Sequence, residues 1–371
     1  MKKGFIILTV ILGCVFALGQ FGLAADKTIK IGAVQPLSGN LAVYGQGFKM
    51  AIDLAVSEIN ANGGINGKKL EVIYEDGKGT AKDSVAAVRK LIDIHKVPII
   101  LGPAASTNFL AVAPICESAH VVLIGAESAS PAITKAGKYV FRVFPSDKLQ
   151  GKGVAQLVTK LGYKEVPVLY INNDWGKGLK DEFVKNFTKA GGKVLTEIPY
   201  DQGKTDYRAE LLQIKKLHPK AAVALVYVKD GAVIFKQAYE LGIKTQWIAG
   251  SAAKSGKLVK LAGKAVEGLI GTYPAFSTDS PQYKHFAALW KKKYGDKKIG
   301  IFAEYNYDMV HLVAKAIAKG GTTPDGIRKA LFEVSKGYKG VTGDKTFDKN
   351  GDVGSDYGVW MIKNGKIVTK K

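Results

Sequence analysis

The chain has 371 residues, 47% of them hydrophobic, which is enough for two domains with cores of their own. Lysine and arginine outnumber aspartate and glutamate 54 to 32, a formal charge of +22. The lysines are scattered, as at Lys49, Lys82, Lys160, Lys189, Lys215, Lys260 and Lys315. With no long basic run or arginine-rich tract, the excess reads as a solvated surface and argues against a nucleic-acid partner.

The first elements are those of an export leader. Lys2 and Lys3 precede an apolar run from Phe5 to Leu18, and Gly22-Leu23-Ala24 places small residues where a signal peptidase reads. Gly13, Gly19 and Gln20 interrupt the run, so it falls short of the roughly 20 apolar residues of a spanning helix. The expectation is a leader at 1–24, cleavage after Ala24, an extracytoplasmic protein and no later membrane span. Cleavage would remove Cys14 and leave Cys116, so no internal disulfide can form. Cys116 lies in an apolar helical stretch and reads as a buried small hydrophobe.

Strand and helix patterns then alternate. Strand-like runs occupy Thr28–Gln35, Leu70–Tyr74, Val97–Leu101 and Val121–Ile124. A second series takes Val166–Ile171, Lys193–Ile198, Ala221–Val226, Gln246–Ala249 and Gly268–Thr272. Several are continuous apolar runs, as expected of parallel strands covered on both faces. Between them, Phe48–Asn60, Ser84–Ile94, Gly178–Ala190, Tyr207–Leu217 and Ala232–Leu241 carry helical spacing of apolar residues. Gly191-Gly192 and Gly242 stop two of these helices. Alternation of this kind predicts an α/β fold of two doubly wound parallel-sheet lobes, with seams at Arg142–Pro145, Tyr273–Pro274 and Asp348–Gly351.

Signatures of catalysis and cofactors fail on inspection. Gly250 to Lys257 has one residue too many for a phosphate loop, and Leu258 stands where a magnesium-binding hydroxyl belongs. Gly151-Lys152-Gly153 lacks the third glycine of a dinucleotide fingerprint. His95, His120, His218, His285 and His311 contain no pair at metal-ligand spacing. Asp348-Lys349-Asn350-Gly351-Asp352 begins like a calcium loop without its closing glutamate, and reads as a turn. No cofactor, metal or enzymatic role is expected.

Three segments carry a resemblance. Ile59-Asn60-Ala61-Asn62-Gly63-Gly64-Ile65-Asn66-Gly67 ends a helix and returns to a strand. Leu37-Ser38-Gly39 precedes it, and Gly102-Pro103-Ala104-Ala105-Ser106-Thr107 follows. Together they resemble the branched-chain amino-acid-binding family of extracytoplasmic solute-binding proteins. The resemblance implies three crossings between lobes, with 26–144 and 275–348 in lobe one and 145–274 and 349–371 in lobe two. It also implies a monomeric receptor that closes on a small carboxylate ligand and delivers it to the membrane permease of an ABC importer. A sensory module reporting the same type of solute to a signalling receptor is the alternative.

Ligands of open α/β sheets bind beyond the carboxyl ends of strands, which points to the loops there. Ser106, beside the exposed amides at a helix start, suits a carboxylate or caps the helix. The resemblance implies that Ser106 and the neighbouring Ala105 and Thr107 hold the ligand carboxylate. It places Ser128 and Ala129 along the next loop, Ala129 where a hydroxyl is usual. Trp175 in Trp175-Gly176-Lys177-Gly178 stands for a more usual tyrosine, Tyr227 matches another aromatic, and Tyr44 and Phe302 match pocket positions. Ser251 occupies a position that in relatives commonly carries the acid pairing with an α-ammonium. Either Glu127, Glu304 or Asp308 substitutes for that acid, or the ligand lacks an ammonium and is an aromatic or aliphatic organic acid.

Overall fold

The computed structural model describes residues 28–370. The expected leader therefore lies outside the described residues. The first series of strands is β1 (Thr28–Gln35), β2 (Lys69–Asp76), β3 (Ile99–Leu101), β4 (Val122–Gly125) and β5 (Val140–Arg142). They form one parallel sheet in the order β2-β1-β3-β4-β5, with Thr28 opposite Lys69 and Gln35 opposite Asp76. The helices between them are α1 (Ala42–Ala61), α2 (Ala81–Asp93) and α3 (Ser106–Ser118). Every residue of β3 and β4 is buried, as their unbroken apolar runs require.

A second sheet repeats the winding. It contains β6 (Glu165–Ile171), β7 (Lys193–Tyr200), β8 (Ala221–Leu225), β9 (Gln246–Ala249) and β10 (Ile270–Pro274). Its helices are α4 (Asp147–Lys160), α5 (Asp174–Lys189), α6 (Arg208–Lys216), α7 (Val228–Glu240) and α8 (Gly256–Ala262). The strand order β7-β6-β8-β9-β10 has the pattern of the first sheet. The chain then returns to the first lobe through α9 (Pro281–Tyr294), α10 (Ala303–Gly320) and α11 (Pro324–Val334), α10 packing along α1 and α11 against β4. After a short hairpin, β11 (Lys339–Gly340) with β12 (Gly343–Asp344), it crosses a third time.

The second sheet is not wholly parallel. β13 (Tyr357–Lys363) pairs antiparallel with β10, and β14 (Lys366–Lys370) antiparallel with β13. The reason is local. Asn364 and Gly365 have φ of 52° and 66°, the left-handed pair that a two-residue hairpin turn demands. Glu267 accepts from both of their N–H groups, at 2.6 and 3.0 Å, and holds the turn. β5 was likewise not separable from a seam by pattern: Arg142 ends a strand and begins the first crossing.

Buried charge ties the crossings down. The Arg142 side chain is wholly buried and bonds Asp352 of the third crossing through Nε (2.6 Å) and an amino nitrogen (2.9 Å). It also donates to the Ser130 carbonyl (2.9 Å) and to Thr134 Oγ1 (2.8 Å). Asp348 accepts from the N–H groups of Asn350 (2.8 Å) and Asp352 (3.1 Å), so the acidic loop there is built as a turn. Cys116 is buried among the helices covering the first sheet, and its thiol is pushed up to about 12 by that burial. Replacing Arg142 by Met should cost about 3–5 kcal/mol of unfolding free energy, because Asp352 would lose its partner. Denaturant titration checks this, and a loss under about 1 kcal/mol would show that the pair is dispensable.

Candidate ligand-binding cleft between the lobes

The carboxyl ends of the two sheets face each other across a narrow cleft. Lobe one supplies Leu41, Tyr44 and Phe48 from the start of α1, and Ala104 to Ser106 from the turn into α3. Glu127 and Ala129 come from the loop after β4, Phe144 from the first crossing and Phe302 from the start of α10. Lobe two supplies Trp175, Tyr227, Ser251 and Ala252, each just beyond a strand.

Ser106 stands at the first turn of α3, but its side chain does not cap that helix. Its Oγ accepts from the N–H groups of Ala129 (3.2 Å) and Ser130 (3.0 Å). With both lone pairs engaged, its one proton is left to donate. The helix behind it has no side-chain cap, so its first amides keep their N–H groups free for an anion. Ala105 holds this corner at φ 70°, a conformation rare for a residue with a Cβ. Phe302, at φ 64°, is the second such residue on the cavity wall. Sparsely populated backbone of this kind persists where surrounding structure imposes it, often at binding sites.

The rings form two walls. In lobe two Trp175 and Tyr227 stack at 4.8 Å between centroids, 16° from parallel. On the other side Phe302 lies 5.2 Å from Phe144 and 6.5 Å from Phe48. Tyr44 closes the gap. Its hydroxyl accepts from Val228 N–H (2.8 Å) and donates to the Ala252 carbonyl (3.3 Å), so a lobe-one side chain bonds two lobe-two loops. Thr107 does the same at the rim, accepting from Asp174 N–H at 3.1 Å. Gly178 permits this approach: a Cβ there would meet Pro131 Cδ at 2.8 Å.

Eight of the ten residues expected from sequence line the cavity: Tyr44, Ala105, Ser106, Ala129, Trp175, Tyr227, Ser251 and Phe302. Thr107 and Ser128 do not. Thr107 is turned to the opposite lobe, and the Ser128 hydroxyl donates to the Pro103 carbonyl (3.1 Å), which braces the loop behind Ser106. Sequence reasoning missed Leu41, Phe48, Ala104, Phe144 and Ala252. Phe48 had a usable signal, since it lies one helical turn after Tyr44. Phe144 had none, because it lies on a lobe crossing and follows no central strand loop.

A family model described as periplasmic binding protein matches residues 28–366. The chain belongs to the periplasmic binding protein family. Members of this class are solute-binding proteins of ABC transporters, not enzymes. The leucine-, isoleucine-, valine-, threonine- and alanine-binding protein of Pseudomonas aeruginosa is 28% identical over 95% of each chain. The branched-chain amino-acid transporter substrate-binding protein of Streptococcus pneumoniae, solved with isoleucine, is 30% identical over 92% of this chain and 100% of its own, with a TM-score of 0.84. A solute-binding protein of Rhodopseudomonas palustris BisB5, solved with 3,4-dihydroxybenzoic acid, is 25% identical over 93% and 97%, with a TM-score of 0.83.

The three acids that the sequence offers in place of the one absent at Ser251 have different surroundings. Asp308 is consumed by structure: its carboxylate accepts from Val341 N–H (2.7 Å), Thr342 N–H (2.9 Å) and Thr342 Oγ1 (2.6 Å). Glu304 lines a separate cavity together with Lys254. Glu127 alone of the three lies on the cleft wall. Ser251 is backed by Gln150. With its amide turned to donate to Asp147 Oδ1 (3.0 Å), Gln150 accepts from Ser251 N–H (2.6 Å).

Burial pushes the carboxyls of Glu127 and Asp147 up to about 8 and that of Glu304 up to about 7. An unfolded carboxyl titrates near 4. Each of these groups therefore keeps a proton in the folded chain that it loses on unfolding, and folding stability falls as pH rises from about 4.5 through 8. Carboxyls shifted the other way, such as Glu58 at about 2, lose their contribution only below that window. Thermal melting of the unliganded protein should show a lower Tm at pH 8 than at pH 5. An equal or higher Tm at pH 8 would contradict this reading of the three buried acids.

Proposed function

We propose that this protein is the extracytoplasmic receptor of an ABC importer. It binds a small carboxylate with an apolar or aromatic body, and reaches its compartment by losing the leader at 1–24. The observation that carries the reading is Ser106: a hydroxyl fixed by two backbone amides, at an uncapped helix start, inside a cavity lined mostly by rings and apolar residues. A carboxylate leaving water needs such fixed donors, and the rings replace water around the rest of the molecule. The amino acids named for two of the relatives and the aromatic acid named for the third all carry a carboxylate.

Closure supplies the signal. The crossings at 143–146, 275–280 and 345–356 act as hinges, and ligand bridging the lobes favours the closed form, in which Tyr44 reaches Val228 and Ala252. The membrane permease then recognises the closed pair of lobes. The receptor works as a monomer, and its lysine-rich surface has no nucleic-acid partner.

Replacing Ser106 by Ala should weaken ligand binding by about 1–3 kcal/mol, the cost of a hydrogen bond to a charged group. Calorimetric titration with the best ligand from a thermal-shift panel of amino, hydroxy, keto and aromatic acids measures this, and unchanged affinity would reject the assigned role. Replacing Tyr44 by Phe removes both of its bonds across the cleft. Small-angle scattering should then show a larger mean radius for the unliganded protein than for the parent chain. An identical scattering curve would remove Tyr44 from the closing mechanism.

A further inference from the structure

Glu127 lines the lobe-one side of the cleft, and Asn306, buried on α10, meets its carboxyl. Asn306 Nδ2 donates to Glu127 Oε2 (3.4 Å) and to the Phe302 carbonyl (3.1 Å). The two remaining oxygens, Glu127 Oε1 and Asn306 Oδ1, are buried and have no hydrogen-bond partner. Buried acceptors are almost always satisfied, and an exception calls for an explanation. With Glu127 ionised, the two orphans ask for a group bringing at least two N–H donors. Lobe one lines the cleft around Glu127 mainly with apolar side chains, among them Phe144, Phe302 and Ala129.

We propose that Glu127 and Asn306 form the subsite for an ammonium group on the ligand, so that the cargo is an amino acid whose cationic end is read by lobe one and not at position 251 in lobe two. This rests on the carboxylate reading above. A hydroxyl brings one donor hydrogen and leaves one of the two acceptors unmet, whereas an ammonium brings three and also neutralises the buried carboxylate. The proposed anchors Ser106, Glu127 and Asn306 sit on lobe one, while lobe two contributes Ser251 and the stacked Trp175 and Tyr227. The ligand docks on lobe one first, and the rings of lobe two close over its apolar side.

The charge state of Glu127 makes this readable. The titratable groups on surrounding elements include the Tyr44 phenol on α1, the Tyr227 phenol before α7, Asp147 at the start of α4, and Glu304, Tyr305 and Asp308 on α10, with Lys254 acting on Glu304 and Lys345 on Asp308. Burial raises both phenols above their usual range, and Asp308 is spent on Val341 and Thr342. Among the described residues no lysine, arginine or histidine forms an ion pair with Glu127. The empty cleft therefore holds it protonated to about pH 8. Pairing with an ammonium expels that proton, so affinity for an amino acid rises as pH rises toward 8, by up to about tenfold per unit.

The test is calorimetry on the leader-free protein with L-leucine and L-phenylalanine beside 4-methylpentanoate and 3-phenylpropanoate, at pH 6.5 to 8 in buffers of differing ionisation enthalpy. The expected result is at least about thirtyfold preference for the amino acids at pH 8, with close to one proton released at pH 7. Glu127→Gln should abolish the proton release and most of the preference. Des-amino acids binding as tightly as amino acids, with Ser106→Ala weakening both, would overturn the ammonium subsite and leave the carboxylate reading standing. Preference and proton release that survive Glu127→Gln would also overturn it. Failure of both series to bind would defeat the carboxylate reading and this subsite with it.

Discussion

The arrangement of this molecule depends on where the backbone amides of Ala129 and Ser130 point. Both donate to the Ser106 oxygen, which joins the loop after β4 to the start of α3 and aims one hydroxyl proton at the cleft. Neither loop would hold that geometry alone. Ser128 pins the adjoining Pro103 carbonyl, and Arg142 pins the Ser130 carbonyl from beneath. The corner at the cleft is therefore continuous with the buried ion pair that ties the first and third crossings together.

This continuity relates binding to motion. Asp147, at the first crossing, donates its N–H to the Ala129 carbonyl (2.8 Å) while Gln150, one turn on, supports Ser251 in the other lobe. The cleft and the hinge share side chains. A bound molecule that draws the lobes together does so against rigid corners, since the loops it touches are braced from behind. The polar contacts between lobes include Tyr44 to two loops, Thr107 to Asp174, and Lys229 to the Gly39 carbonyl at 3.4 Å. Contacts of that kind exchange with water at small net cost, which suits an interface meant to open.

Much of the fold was legible because apolar periodicity and strand length are local properties. Nine strands were visible as runs, and the buried β3, β4 and β8 were recognisable as covered on both faces. β5 was not, since three residues ending in Arg142 carry too little pattern. The antiparallel end of the second sheet was hidden in one Asn-Gly pair. In the site, the strand-end rule and the resemblance together reached Ser106, Trp175 and Tyr227. Thr107 and Ser128 show where that reasoning stops: neighbours in sequence alternate in direction at a helix start or in a tight loop, so one faces the cavity and the next braces it.

The sequence by itself determined the alternation of strand and helix, the two windings and the loops from which a cleft must be built, because these follow from side-chain character along a continuous segment. It also showed that position 251 lacks an acid. What replaces that acid could be decided only by the tertiary structure. Glu127, Glu304 and Asp308 are alike as letters, yet one is spent on backbone amides, one sits in another cavity, and one lies on the cleft wall with an unmatched oxygen. The difference is set by partners 179 residues distant for Glu127 and 33 for Asp308, and by the low dielectric that burial imposes. Neither leaves a mark in the local sequence.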